Sequence, residues 1–201
     1  MERTQESIRI HKINLLLKEL FRKSIHLCSA IIQLLLKYFF LPVIILLFLA
    51  VIGYTVSEIL RLKGKRVPLI SKITELAARK RDENKFVLGP VTLVIGILIA
   101  AICLPLQAAT IGIYALDFGD GLASLSGKLF GKIHIPFTKG KTAAGSLACL
   151  TAVFITSFFA QGNTAVIIQL AFSAMILELI PLADFDNILI PITIGGLSLL
   201  I

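Results

Sequence analysis

Apolar residues gather into seven long runs, at about 25 to 41, 42 to 60, 86 to 104, 107 to 126, 143 to 160, 164 to 182 and 187 to 201. Their lengths approach the roughly 17 to 25 residues that a helix needs to cross about 30 Å of hydrocarbon. Strand-type alternation is absent, so the pattern predicts helices and not barrel strands. The first two runs meet at Leu41-Pro42, and the breaks at Pro105 and at Gln161-Gly162-Asn163 are short and uncharged, as tight turns are. Before the first run, Ile8, Ile10, Ile13, Leu16, Leu17, Leu20 and Phe21 recur at near-helical spacing opposite Arg9, Lys12, Lys18 and Arg22. That predicts an amphipathic helix lying on a membrane surface. Between the second and third runs, a basic loop surrounds the helix-like stretch SKITELAARK.

Composition turns this pattern into a fold class. With 57% hydrophobic residues, a mean hydropathy of +0.92 and only 16% charged residues, the chain is too apolar for an ordinary soluble domain. The expected fold is all-α: a polytopic integral membrane bundle of about seven transmembrane helices with an N-terminal interfacial amphipathic helix. Residues 1–24 form that helix, and residues 25–201 form the membrane domain that carries the candidate site, with basic loops at about 61–85 and 127–142. Lys and Arg number 6, 9 and 4 in residues 1–24, 61–85 and 127–142, so Lys37 alone of 20 lies outside them. The positive-inside rule then places the N-terminus and these loops in the cytoplasm and the C-terminus on the opposite side. The net charge of +8 is a one-sided basic surface facing anionic lipid headgroups, which argues against nucleic acid as a partner. No cleavable signal is apparent. Cys28, Cys103 and Cys149 have no ligand-like spacing and are expected to be buried small hydrophobes.

The chemistry concentrates in residues 119–145, GDGLASLSGKLFGKIHIPFTKGKTAAG. Asp117, Asp120, Ser124, Gly127 and Gly131 are spaced three, four, three and four apart, which makes one stripe on a helix. Small residues there permit close approach of a neighbouring helix or a ligand, but helix packing explains neither aspartate. A carboxylate at a hydrocarbon boundary needs a base, a metal or a proton path. Asp120 suits either a magnesium ligand or a base that receives a hydroxyl proton, and Asp117 suits a structural role as well as a catalytic one. Lys128, Lys132, Lys139 and Lys141 follow, beside Thr142. The Gly140-Lys141-Thr142 step falls where the next helix begins, where free backbone N–H groups favour an anion. It is not a P-loop, because the earlier glycine such a loop requires would fall at Ile135. Arg22, Lys23 and His26 enter the first span; Glu58, with Arg61 three residues on, leaves the second as an ordinary helix-end ion pair. Glu178 lies inside an apolar run with no base near it in sequence. Asp186 or Asn187 can cap the last helix, with Pro191 near its first turns.

These residues resemble the CTP-dependent polyprenol kinase family, which includes dolichol kinase, phytol kinase and the CTP-using diacylglycerol kinase. Three pieces carry the resemblance: Arg22-Lys23-Ser24-Ile25-His26, GDGLASLSGKLFG with the lysine-rich loop after it, and Glu178-Leu179-Ile180-Pro181 followed by Asp186-Asn187. The resemblance implies transfer of the γ-phosphoryl group of CTP, with Mg2+, to the hydroxyl of a membrane lipid alcohol, whether polyprenol, dolichol, phytol or diacylglycerol. By position, Arg22, Lys23, Asp120 and Gly127 match the family's functional residues, and the lysine-rich loop matches its nucleotide-binding segment. On that basis Asp120, Arg22, Lys23 and Glu178 are the candidate catalytic residues, with Asp120 and Glu178 as metal ligands. Ser124, Gly127, Lys128, Gly131, Lys139, Lys141 and Thr142 are the candidate nucleotide-binding residues, and His26, Asp117, Asp186 and Asn187 are secondary candidates. One departure stands out: relatives carry an acidic residue where this chain has Ala144, so the metal shell would be incomplete unless Glu178 supplies it.

Two other readings fit parts of the same pattern. A cytidylyltransferase making a CDP-lipid from CTP and a phosphatidic acid needs a similar acidic, lysine-rich membrane site. A small ion-coupled transporter could use Asp117, Asp120 and Glu178 as its path, although its acids belong near the midplane and here they gather at one face. The small-residue faces of so thin a bundle also suit pairing into a homodimer.

Overall fold

The computed structural model describes residues 2–65, 67–78, 82, 85–160 and 162–201, with the side chains of residues 2–12, 14, 15, 69, 75 and 77 outside that description. The described residues form helices joined by turns and loops: α1 (Glu2–Tyr38), α2 (Phe40–Leu62), α3 (Pro68–Ala77), α4 (Gly89–Cys103), α5 (Leu106–Tyr114), a π-helical segment (Ala115–Asp120), α6 (Gly121–Phe130), α7 (Ala143–Phe158), α8 (Thr164–Leu179) and α9 (Asp186–Leu197). No strand forms among them; one isolated bridge joins His134 to Thr142 across the loop between α6 and α7.

Several elements differ from the sequence expectation. The amphipathic segment and the first apolar run form one continuous helix, because no glycine or proline interrupts residues 2–38. The break before α2 falls at Phe39, not at Leu41-Pro42; Pro42 is the third residue of α2, within the first turn, where its missing N–H would have no intrahelical partner. The side chains of Ile8, Arg9, Ile10 and Lys12 lie outside the described residues, while Ile13, Leu17 and Leu20 on the same helix are exposed. The fourth apolar run is not one α-helix, since the π-helical segment inserts between α5 and α6. As a result α2 alone among the described helices is both long and apolar enough to cross a membrane by itself, while α4, α7, α8 and α9 are apolar but shorter. Cys28 and Cys103 are exposed, and only Cys149 is buried as expected; all three are free thiols.

The core centres on α9, which packs against α4, α5, α8 and the π-helical segment, while α7 joins α6 to α8 and α1 lies across α6 and the π-helical segment. Ile97, Ile111, Ile113, Leu116, Val153, Leu170 and Ile194 fill the interior. Two glycines let α9 come this close. A Cβ on Gly96 would lie 2.0 Å from the Asn187 carbonyl oxygen, and one on Gly112 would lie 2.0 Å from that of Pro191. Pro191 sits inside α9, in its second turn, near the first turns as the sequence suggested. Having no N–H, it leaves the Asn187 carbonyl without its usual helical donor, and that carbonyl is the one that lies against Gly96. One face of α2 is apolar and exposed: Ile45, Leu46, Phe48, Leu49 and Ile52 all lie on the surface.

Candidate functional site

Lys23, His26, Ser29 and Gln33 recur at three- and four-residue spacing in α1, so they share one face. All four are buried against the α5–π–α6 stretch. The Lys23 ammonium donates to Asp120 Oδ2 and forms an ion pair with it, Ser29 Oγ lies 2.6 Å from Asp117 Oδ1, and Gln33 Nε2 donates to Thr110 Oγ1 at 2.5 Å. Three polar rungs thus tie two segments distant in sequence. Asp120 falls at the last position of the π-helical segment and Asp117 in its interior, and both carboxylates stay turned inward. The electrostatic surroundings of Asp120 also include His26 and Arg22.

A second pair closes the other side. Lys141, just before α7, sits 2.9 Å from Glu178 Oε1 and also donates to the Glu178 backbone carbonyl, so the base that Glu178 lacks in sequence is supplied in space. The two pairs belong to one neighbourhood: Cys149 feels Glu178, Asp120 and Lys141, and Asp186 feels Asp120, Lys23 and Lys141. Buried polar atoms without a partner border this region, namely Arg22 Nε, His26 Nδ1, Asp117 Oδ2 and Glu178 Oε2. An unpaired buried polar atom costs free energy, so each is a place where a ligand gains by binding. Among the described residues no group of three or more His, Cys, Asp or Glu side chains is gathered as a metal cage.

Other sequence candidates are placed differently. Arg22 donates through Nη2 to Glu19, and Lys128 pairs with the other oxygen of the same carboxylate at 2.8 Å. Burial alone would raise the Glu19 carboxyl, but the Arg22 and Lys128 cations outweigh it and hold it low, at about 2. Thr142 is the N-cap of α7, its Oγ1 accepting from the Gly145 N–H at 3.2 Å. The same hydroxyl would lie 2.9 Å from a Cβ on Gly127 and 2.6 Å from one on Gly131, so these two glycines serve the packing of α6 on α7. Ser124 is half-buried on α6. Lys139 is exposed in the connecting loop with a φ of 54°, next to Gly140 at 95°. Asn187 does not cap α9; its Nδ2 donates to Thr92 Oγ1 at 2.9 Å and to the Gly89 carbonyl at 3.3 Å, while Asp186 Oδ1 accepts from the Asn187 N–H. The expected Glu58–Arg61 pair is present as a two-point contact, and Glu58 also accepts from the Val87 N–H.

Beside the Lys23–Asp120 pair, a narrow crevice runs between α1 and the N-terminus of α4. Arg22, His26, Asp82 and Asp184 form its polar end, and Pro90 and Leu93 are among its apolar walls. Sequence reasoning did not single out Glu19, Ser29, Gln33 or Thr110. The signal available was the period of Lys23, His26, Ser29 and Gln33, a polar stripe along an otherwise apolar helix.

The chain is similar to plant proteins named as probable chloroplastic phytol kinases. It is 26% identical to the one from Zea mays over 164 residues, covering 72% of this chain and 54% of that protein. It is 29% identical to the one from Triticum aestivum over 139 residues, covering 60% of this chain and 46% of that protein. An uncharacterized protein of Methanocaldococcus jannaschii is 25% identical over 160 residues, covering 77% of this chain and 78% of that protein. The chain therefore spans about half the length of the phytol kinases it matches. No family model matches, and neither does any solved structure. The phytol kinase relatives support a kinase-like family of the polyprenol and phytol type.

Proposed function

We propose that the chain is a membrane-embedded lipid kinase that transfers the γ-phosphoryl group of CTP to the hydroxyl of a lipid alcohol, with an isoprenoid alcohol of the phytol kind foremost among polyprenol, dolichol, phytol and diacylglycerol. The observation that carries this reading is the buried Lys23–Asp120 pair beside Lys141–Glu178, two cation–carboxylate pairs in the midst of an apolar bundle. Phosphoryl transfer asks mainly for positioning and charge neutralisation. An arriving triphosphate gives Lys23 and Lys141 new acceptors and so releases Asp120 and Glu178 from them. Arg22, whose Nε is buried without a partner, would add charge at the transferring group. The lipid hydroxyl would enter through the crevice at His26.

The donor set fits magnesium, which takes one or two carboxylates together with substrate phosphates and waters and needs no protein cage. Asp120 and Glu178 would hold it, and Glu178 Oε2 is the buried, unpartnered atom that suits the role. Bound there, the ion would neutralise charge on the phosphates. The membrane setting rests on α2 and on the apolar side chains exposed along α1 and α2, a surface larger than water tolerates on a monomer.

The test is an assay of the purified chain in lipid nanodiscs with γ-labelled CTP, against ATP, across phytol, longer prenols and diacylglycerol. Label passes to the alcohol and CDP is released, and Asp120→Asn lowers the rate by at least about a hundredfold while the protein still elutes as a folded species. Release of pyrophosphate, or unchanged transfer by Asp120→Asn, overturns the proposal.

A further inference from the structure

On α1, ten residues beyond Lys23 and so about 15 Å along the helix axis, a cleft of about 370 Å3 opens between α1, the start of α2, the end of α4 and the start of α5. Leu36, Phe40, Leu104 and Leu106 give it apolar walls, and its two polar residues are Gln33 and Lys37, one helical turn apart on one face of α1. Gln33 is 3% exposed. The hydrogen-bond network fixes its amide orientation. The Thr110 hydroxyl donates to the Leu106 carbonyl at 2.7 Å, so its oxygen can only accept, and the group 2.5 Å from it must be the Gln33 NH2. The Gln33 Oε1 is then a buried acceptor with no donor. Lys37 is the basic residue that stands apart from the three basic segments, and its Nζ rests 5.8 Å from the Tyr38 ring.

A ligand that completes this cleft must therefore bring a hydrogen-bond donor for Gln33, a negative charge for Lys37 and an apolar chain for the walls. A lipid alcohol has the donor but no charge. A phosphatidylcholine has the phosphate but no donor. An ethanolamine headgroup can donate only through an ammonium that Lys37 repels. We infer that the cleft is a binding site for an anionic glycerophospholipid whose headgroup ends in a free hydroxyl, of the phosphatidylglycerol kind. The hydroxyl donates to Gln33 Oε1, the phosphodiester faces Lys37, and an acyl chain lies along Leu36, Phe40 and Leu104. The site is separate from the Lys23–Asp120 cluster and does not depend on the kinase reading.

Native mass spectrometry of the purified full chain, titrated with phosphatidylglycerol, phosphatidylcholine and phytol, tests it. Phosphatidylglycerol binds at least about tenfold more tightly than phosphatidylcholine; Gln33→Leu removes about that factor, and Lys37→Met weakens the binding of phosphatidylglycerol by a similar factor. Ala101→Leu, which fills the cleft without touching either polar group, removes the preference as well, and this variant decides the matter if Gln33→Leu does not fold. Equal binding of the two phospholipids, retention of the preference in Ala101→Leu, or displacement of phosphatidylglycerol by phytol overturns the inference.

Discussion

The Lys23–Asp120 pair poses a question of energy, because both partners are buried in an apolar bundle. Removing two charges from water is costly, and their mutual attraction offsets that only while both remain. Lys23→Met should therefore destabilise the protein by about 3–5 kcal/mol by leaving the Asp120 carboxylate unpaired. The double variant Lys23→Met, Asp120→Leu leaves neither charge behind and should recover most of that loss in detergent unfolding. Neither variant should transfer phosphate. A double variant that regains activity along with stability would mean that the pair serves only the fold. At this scale Asp120 was legible in the sequence, since charge inside an apolar run is conspicuous, whereas Lys23, in the charged segment before the first run, was singled out only by the resemblance. Ser29, Gln33 and Glu19 were not legible, because their meaning lies in partners such as Asp117, Thr110 and Lys128 far along the chain.

At the scale of elements, glycines decide how closely α9 can approach. The carbonyl oxygens of Asn187 and Pro191 occupy the places where side chains on Gly96 and Gly112 would stand. Both obstacles are backbone, so neither can rotate away. Gly112→Ala should push α9 outward and destabilise by about 1–3 kcal/mol or more. Gly53 in the exposed middle of α2 has nothing within 4 Å, so Gly53→Ala should stabilise by about 0.5–1 kcal/mol through helix propensity. Thermal unfolding of the two variants side by side checks this, and equal midpoints would remove the packing argument. The hydrophobic runs gave the existence of these helices from periodicity and length. Their joints were harder to read. The π-helical segment at Ala115–Asp120 leaves no mark in the pattern of apolar residues, and Pro42 looked like a turn because a proline in a first turn and a proline in a loop read alike.

For the whole molecule, the decisive property is which faces meet lipid and which side each loop faces. The exposed Ile, Leu and Phe side chains of α1 and α2 would be an aggregation surface in water and are an ordinary one in hydrocarbon. The helices α4, α7, α8 and α9 have 12 to 16 residues each, about 18 to 24 Å of axis at 1.5 Å per residue. That falls short of the hydrocarbon thickness, so in the proposed membrane setting their ends would be completed by flanking residues or by local thinning of the bilayer. The α5–π–α6 stretch has no such shortage, since Leu106 to Phe130 run on without a break. Charge then orients the bundle: 19 of 20 basic residues lie in three segments that the proposed topology puts on one side. After replacement of the exposed Cys28 and Cys103 by serine, with only the buried Cys149 left, a reporter cysteine at Lys132 should react with a membrane-impermeant maleimide only when the cytoplasmic face is open to it. A reporter at Asn163, in the turn between α7 and α8, should react only from the opposite face. Reaction of both reporters from one side would mean that α7 does not span, and the Lys141 side of the site would then lose its place at the cytoplasmic boundary where a soluble nucleotide and a lipid hydroxyl can meet.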